Sequence, residues 1–173
     1  MTVNSKLSTV NLRAIEPEDL DLLYHIENDV RLWNVGTSNV PYSRYVLHDY
    51  VANVTNDIYA DRQVRLVIED KNGQTVGVAD IVNFDPRHQR AEAGIVIMEP
   101  YRQQGYATAA ITELCNYALR ILHLHQLYAV VKADHQAALR LFSKLGFQEQ
   151  SRLKDWLFDG HNYHDTLLLQ RFL

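Results

Sequence analysis

The spacing of apolar residues changes within residues 91–122, and this change predicts a strand, a loop and a helix. Gly94 to Met98 is an unbroken and mostly apolar run, too short for an independent helix, which favours a buried β-strand. After Pro100 the chain becomes polar. Apolar residues then recur every three or four positions, as on one buried helix face: Ala107, Ile111, Leu114, Ala118 and Ile121. The chain is therefore expected to run from a central strand through a tight loop into a long helix.

The rest of the pattern predicts an α/β domain with a mixed sheet. An opening strand at 10–15 precedes two helices, one from Glu16 to about Asn28 and one over about 43–59. Asn72-Gly73 indicates a hairpin between the next two strands. A strand at 127–131, a helix capped by Asp134 and a hairpin over 147–172 follow. The predicted order is β-α-α-β-β-β-α-β-α-β-β, with about seven strands and four helices in a single domain over residues 1–173.

The loop after the central strand has the features of an anion site. A helix N-terminus presents backbone N–H groups and a positive dipole end. Gly105 allows an anion to approach the backbone, Ala107 keeps the first helical turn small, and Arg102 adds positive charge. Neither Gly-x-x-x-x-Gly-Lys-Ser/Thr nor Gly-x-Gly-x-x-Gly occurs here, so the common nucleotide-binding loops do not fit. The loop therefore predicts a diphosphate site of another kind.

Two motifs resemble the GNAT family of N-acetyltransferases. Arg102-x-x-Gly105-x-Ala107 after a strand resembles the Arg/Gln-x-x-Gly-x-Gly/Ala acetyl-CoA loop of that family. The segment from Ala138 to Phe147, Ala-Leu-Arg-Leu-Phe-Ser-Lys-Leu-Gly-Phe, resembles a second family motif. The likeness extends over roughly residues 10–172.

The resemblance implies a fold and a reaction. In the GNAT fold the strands corresponding to 94–98 and 127–131 splay apart and open a cleft for acetyl-CoA. The implied reaction moves the acetyl group of acetyl-CoA to a primary amine, by direct attack in a ternary complex and without a metal.

The resemblance also assigns residues to acetyl-CoA. The loop would hold the diphosphate, the strand would pair with the pantetheine arm, and an N–H near Ile97 or Met98 would polarise the thioester oxygen. His135 stands where the family usually has an asparagine that contacts the cofactor. The residues expected to bind acetyl-CoA are Ile95, Ile97, Met98, Arg102, Gln103, Gln104, Gly105, Tyr106, Ala107, Thr108 and His135.

The chemistry needs a base for the amine and a way for the thiolate to leave. Glu92 is the expected general base, acting through water, and the alternative for it is an ion pair with Arg90 or another surface cation. Phe142 occupies the position of the family tyrosine that protonates the thiolate, and a phenyl ring cannot donate a proton. A thiol with a pKa of about 8.5 leaves as a tolerable anion. Water or another hydroxyl could replace the acid, and the candidate hydroxyls are Tyr101, Tyr106 and Tyr128.

The acceptor is expected to be a polyamine-like or diamine-like small molecule or a protein N-terminus, and an amino sugar is a further open alternative. The segments around 27–29 and 41–43 resemble the branch of spermidine/diamine and ribosomal-protein N-terminal acetyltransferases. The link between the first two helices, which contains Gly36, is expected to form a lid. Glu27, Asp29 and Trp33 are expected to line the acceptor pocket.

The composition of the chain excludes some classes of binding partner. The chain has 17 basic and 21 acidic residues, a net charge of −4, which argues against nucleic acid. It lacks a signal-like apolar region and any membrane-length stretch, so a soluble, cytoplasmic protein is expected.

The one cysteine, Cys115, is expected in the core. His123 with His125, and His161 with His164, lack a third ligand at metal spacing, so no metal is expected. Because GNAT proteins are often dimers, a homodimer is an open alternative to a monomer.

Two other functions stay open beside catalysis. Phe142 and His135 favour a non-catalytic acyl-CoA-binding module. A nucleotide-binding or structural adaptor would bind no CoA at all. Catalysis is the preferred interpretation.

Overall fold

The computed structural model describes residues 9–33, 40–55 and 57–173, and within these ranges the chain forms seven strands and six α-helices. The strands are β1 Val10–Ala14, β2 Val64–Asp70, β3 Thr75–Asp85, β4 Arg90–Ile97, β5 Gln126–Lys132, β6 Gln148–Phe158 and β7 Tyr163–Phe172. The helices are α1 Leu20–Glu27, α2 Val30–Trp33, α3 Arg44–Asn53, α4 Ile58–Asp61, α5 Tyr106–Arg120 and α6 Gln136–Lys144. None of these helices is long and apolar enough to cross a membrane.

All seven strands form one mixed sheet in the order β1-β2-β3-β4-β5-β7-β6. The β4–β5 pair is parallel, and the other neighbouring pairs are antiparallel. This confirms the predicted mixed α/β sheet and the order of its strands along the chain.

The strands β4 and β5 separate after a short paired region. They pair through Arg90 with Gln126, Ala91 with Leu127, and Glu92 with Tyr128. Beyond Glu92, β4 stays paired with β3 while β5 stays paired with β7. A gap therefore opens along one edge of residues 93–97, which confirms the predicted splay.

The two faces of the sheet carry different helices. On one face, α5 buries Ile111, Leu114 and Ala118 against a core that includes Ala91 and Ala93, and Cys115 lies in the same core. On the other face, the α1 residues Leu22 and Ile26 pack with Val67 and Val78, and Val96 lies against this cluster. Because side chains alternate along a strand, Glu92 and Gly94 share the α1 face with Val96.

The described residues contain two more helices than the approximately four predicted. The helix predicted over 43–59 begins as expected, with Ser43 as its cap, but ends at Asn53 because Val54 is extended (φ −60°, ψ 121°). The chain re-enters a helix after Asp57, whose side chain accepts a hydrogen bond from the Tyr59 N–H, and this forms α4. The short helix α2 lies in the segment predicted as a loop.

The structure also bears on the predicted N-cap of α6 and on the predicted lid. The predicted cap Asp134 is wrong, because His135 caps α6 by accepting the Ala138 N–H on Nδ1 at 3.1 Å. The Gly36 part of the predicted lid lies outside the described residues.

Candidate active site

The turn between β4 and α5 presents backbone N–H groups that donate to no other described residue. A 3₁₀ turn at Glu99–Tyr101 follows β4, and Gly105 precedes α5 with a φ of 89°, a left-handed conformation that glycine adopts without strain. No side chain of a described residue caps this end of α5, and the N–H groups of Tyr106, Ala107 and Thr108, which lie in the first helical turn, have no acceptor within the helix. A helix start of this kind binds anions such as phosphate.

Side chains of the turn hold it in shape. Arg102 donates from Nε to the Ile97 carbonyl at 2.9 Å, and Gln104 donates from Nε2 to the Pro100 carbonyl at 2.9 Å. The Arg102 side chain is exposed beside the helix start. Its guanidinium can therefore add charge to the unpaired N–H groups while its Nε anchors the end of β4.

The open edge of β4 carries the backbone groups of Ile95 and Ile97. Met98 donates its N–H to the Val76 carbonyl at 2.9 Å, so Met98 faces β3. Backbone groups alternate in direction along an antiparallel strand, and those of Ile97 and Ile95 therefore face the gap toward β5. Of the two N–H groups considered for polarising the thioester, the one on Ile97 faces the gap and the one on Met98 is engaged.

Gly77 allows β3 to lie close to this part of β4. It is the register partner of Ile97, and a Cβ atom on residue 77 would lie 2.1 Å from the Val96 carbonyl oxygen. A side chain at this position would push the two strands apart.

Glu92 lies where β4 and β5 part, and it is held by an amide. Asn83 donates from Nδ2 to Glu92 Oε2 at 2.9 Å. Asn83 itself has a φ of 52° and lies in an irregular part of β3. Burial raises the pKa of Glu92, and the hydrogen bond from Asn83 partly offsets this rise. Arg90 pairs with Asp85 at 3.4 Å, and no cation among the described residues forms an ion pair with Glu92.

Phe142 packs in the core and His135 caps α6, and neither structural role was predicted from the sequence. Phe142 is 4% exposed and meets Phe147 edge to face, with ring centroids 5.0 Å apart. His135 accepts a hydrogen bond on Nδ1, so its neutral ring carries the proton on Nε2 and can donate from there.

A cavity of about 270 Å³ lies between α1, α3 and the sheet, on the same face as Glu92. Most of its wall is apolar or aromatic, with Leu23, Val46, Tyr42 and Tyr50 among the lining residues. The Asn28 side chain joins the two helices here, because it donates to the Tyr42 carbonyl at 3.0 Å and accepts the Tyr42 N–H at 2.9 Å. The cavity is large enough for a small amine and open to the sheet.

The charged residues of this cavity form a triad of Glu27, Arg65 and Asp80. Arg65 donates to both Asp80 carboxylate oxygens, at 2.8 and 3.0 Å, and also forms an ion pair with Glu27. Two carboxylates face one guanidinium, so the triad carries one excess negative charge. Asp80 is the register partner of Gly94, which has no side chain to separate the triad from the middle of β4.

Asp29 and Trp33 lie nearby but are not among the described residues that line this cavity. Asp29 pairs with Arg31 at 2.8 Å, and Arg31 also reaches Glu99 in the turn after β4 at 2.9 Å. Trp33 donates from Nε1 to the Glu27 carbonyl at 2.9 Å. Of the three expected acceptor residues, Glu27 alone lines the cavity directly.

Sequence reasoning missed Arg65 and Asp80. Both stand inside strands that are otherwise apolar, Val-Arg-Leu-Val-Ile and Val-Gly-Val-Ala-Asp-Ile. A charged residue in a buried strand needs a partner, and this was the available signal.

The splayed strands, the uncapped helix start and the cleft agree with one protein family. The chain belongs to the GNAT acetyltransferases, because it matches the acetyltransferase (GNAT) domain over residues 9–148. It is accordingly an acetyl-CoA-dependent N-acetyltransferase. Among the described residues no cluster of three or more His, Cys, Asp or Glu side chains could hold a metal ion.

Its relatives include polyamine enzymes. The chain is 26% identical to the spermidine N(1)-acetyltransferase of Escherichia coli (strain K12) over 159 residues, which cover 92% of this chain and 83% of the relative. It shares its fold with the spermidine N-acetyltransferase from Vibrio cholerae in complex with CoA and spermine (TM-score 0.86, 24% identity, 95% of each chain covered). A dodecameric structure of the Vibrio cholerae enzyme matches with a TM-score of 0.77 and 26% identity, covering 95% of this chain and 94% of that one.

Proposed function

We propose that this protein acetylates a primary amine of a polyamine or diamine, by direct attack on acetyl-CoA in a ternary complex. The observation that carries the proposal is the cavity with one excess negative charge, adjacent to the open part of β4. A protonated second amine of the acceptor would bind Glu27 there. The similarity to the spermidine acetyltransferase from Escherichia coli, which is 26% identical over an alignment that covers 92% of this chain, supports the same acceptor class.

The acetyl-CoA site runs along the turn and the open edge of β4. The diphosphate binds the N–H groups of Tyr106, Ala107 and Thr108 together with Arg102. The pantetheine arm pairs with the backbone of Ile95 and with the Ile97 N–H, where β5 has left the edge of β4 open, while the Ile97 carbonyl already accepts a hydrogen bond from Arg102. Gln103 and Gln104 border the diphosphate, and His135 contacts the cofactor through Nε2. Met98 contributes by its position in the strand, since its N–H is engaged.

The reaction needs a neutral amine. An alkylamine with a pKa of about 10.4 is almost fully protonated at neutral pH. Glu92 accepts the proton through a water molecule, and its raised pKa makes it a better base than an exposed carboxylate. A backbone N–H on the open edge of β4 polarises the thioester carbonyl in the gap, and of the Ile95 and Ile97 groups that face it the Ile95 N–H is the nearer to Glu92.

The wider properties belong to the same proposal. Residues 1–173 form one catalytic domain, since all described strands join one sheet. The enzyme acts in the cytoplasm and assembles with copies of itself, as the dodecameric Vibrio cholerae relative does. Light scattering coupled to gel filtration measures the assembly.

The test is the release of CoA thiol with a panel of amines. Spermidine, spermine, putrescine and cadaverine are compared with a peptide N-terminus and with butylamine, which lacks a second amine. Thiol release that is fastest with the di- and polyamines is expected. Tight CoA binding without thiol release from any amine would instead favour the non-catalytic module, and equal rates for putrescine and butylamine would remove the diamine assignment.

A further inference from the structure

The proposed reaction lacks a proton donor at the position where the family carries one. Phe142 has no hydroxyl, and its ring is buried against Phe147. The thiolate that leaves the acetyl group nevertheless has to become the thiol of free CoA. Another group close to the reacting atoms can supply that proton.

Tyr128 is the tyrosine that the fold places beside the base. It lies on β5 as the register partner of Glu92, in the last paired position before the two strands separate. Register partners in neighbouring strands point to the same face of the sheet, so Tyr128 and Glu92 share the α1 face. The side chain is half-buried at the narrow end of the gap.

The surroundings keep the Tyr128 hydroxyl protonated. Burial raises the pKa of Tyr128, the negative charge of Glu92 raises it further, and the neighbouring Asn83 side chain opposes the shift. Arg90 and Asp85 act on it with opposite signs and smaller effect. Asn83 also binds Glu92 at 2.9 Å, so one amide lies next to both ionisable groups.

The other two tyrosines are placed differently. Tyr101 and Tyr106 lie at the opposite, diphosphate end of β4 and meet edge to face, with ring centroids 6.3 Å apart. They flank the start of α5, and both pack against the α5-side core. Their location associates them with the turn and not with the point where β4 and β5 part.

We propose that Tyr128 supplies the proton to the leaving thiolate, an assignment that rests on the proposed acetyl transfer. The ammonium proton of the acceptor first leaves to solvent through water and Glu92, which is then again deprotonated. The neutral amine nitrogen attacks the thioester carbon, the new C–N bond forms and the C–S bond breaks. The second proton, lost by the nitrogen as it becomes an amide, passes through water to Glu92. The Tyr128 O–H proton goes to the sulfur, and the proton on Glu92 then returns through water to the Tyr128 oxygen. Both side chains end in their starting states, and the products are the acetylated amine and CoA thiol.

The experiment compares Tyr128→Phe with the wild-type enzyme and with a matched control, Tyr117→Phe. Tyr117 is a partly buried tyrosine on α5, and burial raises its pKa as well. We expect Tyr128→Phe to lower kcat by about a hundredfold, the smaller end of general acid contributions. CoA affinity by calorimetry and the melting temperature should stay close to wild type. Tyr117→Phe should keep its kcat.

Rescue provides a readout that a structural role would not move. The double variant Tyr128→Phe/Phe142→Tyr restores a hydroxyl at the family position, and it should recover about tenfold of the lost kcat. A Tyr128→Phe enzyme with a kcat within about threefold of wild type overturns the assignment. So does a loss of kcat that comes with an equal loss of CoA affinity. A wild-type protein that releases no thiol with any amine would overturn the proposed acetyl transfer itself.

Discussion

Arg65 binds both carboxylate oxygens of Asp80, at 2.8 and 3.0 Å, and extends a third donor to Glu27. The pairing neutralises one of two acids in the acceptor cavity. Glu27 Oε2 receives no hydrogen bond from any described residue, and it is therefore the carboxylate oxygen available to an ammonium group. The charge of the cavity thus depends on contacts between elements that are far apart in the chain.

Removing the charge of Glu27 should weaken the binding of diamines. Glu27→Gln keeps the shape of the side chain but removes the excess negative charge, and the loss of one charge-assisted hydrogen bond should raise the KM for putrescine by about tenfold or more. The ratio of kcat/KM between putrescine and butylamine should fall toward one. The matched control is Glu113→Gln on the exposed side of α5, which should keep the wild-type ratio. An unchanged ratio in Glu27→Gln would show that the second amine binds elsewhere.

The pH dependence of kcat should report Glu92. Burial raises its pKa above the ordinary glutamate value, and a base works only when deprotonated, so kcat at saturating amine should fall as the pH drops through this raised pKa. Asn83 stabilises the charged form, and Asn83→Ala should therefore move this acidic limb to higher pH. Glu92→Gln should remove the limb and lower kcat by about a hundredfold or more. An acidic limb that persists in Glu92→Gln would assign it to another group.

Gly77→Ala should destabilise the protein and disturb the cofactor strand. The added methyl group would lie 2.1 Å from the Val96 carbonyl, which only a shift of β3 against β4 can relieve. We expect a loss of about 1–3 kcal/mol in the free energy of unfolding in urea, together with weaker CoA binding. Gly94→Ala is the control, because the nearest atom to its new methyl group, Asp80 Cβ, is 3.5 Å away. Equal stability of the two variants would contradict the close approach at Gly77.

Arg102→Ala should weaken CoA binding without unfolding the turn. The variant loses the charge beside the unpaired N–H groups and the anchor to the Ile97 carbonyl, which together should raise the Kd for CoA by about tenfold to a hundredfold. Arg102→Gln should lose less, because a glutamine can still donate to the carbonyl. The loss of affinity caused by Arg102→Ala should be smaller for pantetheine than for CoA, because pantetheine has no diphosphate to bind. Calorimetric titrations of both ligands measure this difference, and an equal effect on both would exclude a diphosphate contact.

The sequence predicted the parts of the site that depend on neighbouring residues. The change of period before and after Arg102 located the strand, the turn and the helix. The turn and the helix form from contacts within one short segment, and the strand was marked by its local apolar run although its hydrogen bonds go to β3 and β5. The break of the second helix at Val54 was missed because the apolar spacing continues through it. The β-branched pair Val54-Thr55 was the weak local signal, since such residues lose side-chain freedom in a helix.

The acceptor cavity and the environment of the base could not be predicted from local pattern. Arg65 meets Glu27 from 38 residues away, and Asn83 binds Glu92 from a position of positive φ in an irregular part of β3. Such contacts depend on the register between strands and on the helix packed over them. A charged residue in an apolar strand indicates that a partner exists without identifying it.

The one cysteine of the chain bears on how this enzyme can be assayed. Cys115 is 4% exposed, its pKa is raised by burial, and Arg171 donates to its sulfur at 3.4 Å. A thiolate reacts with disulfide dyes and a buried neutral thiol does not. A colorimetric disulfide reagent added during turnover will therefore count the free CoA as it appears, with no background from the folded protein and no inactivation by the dye.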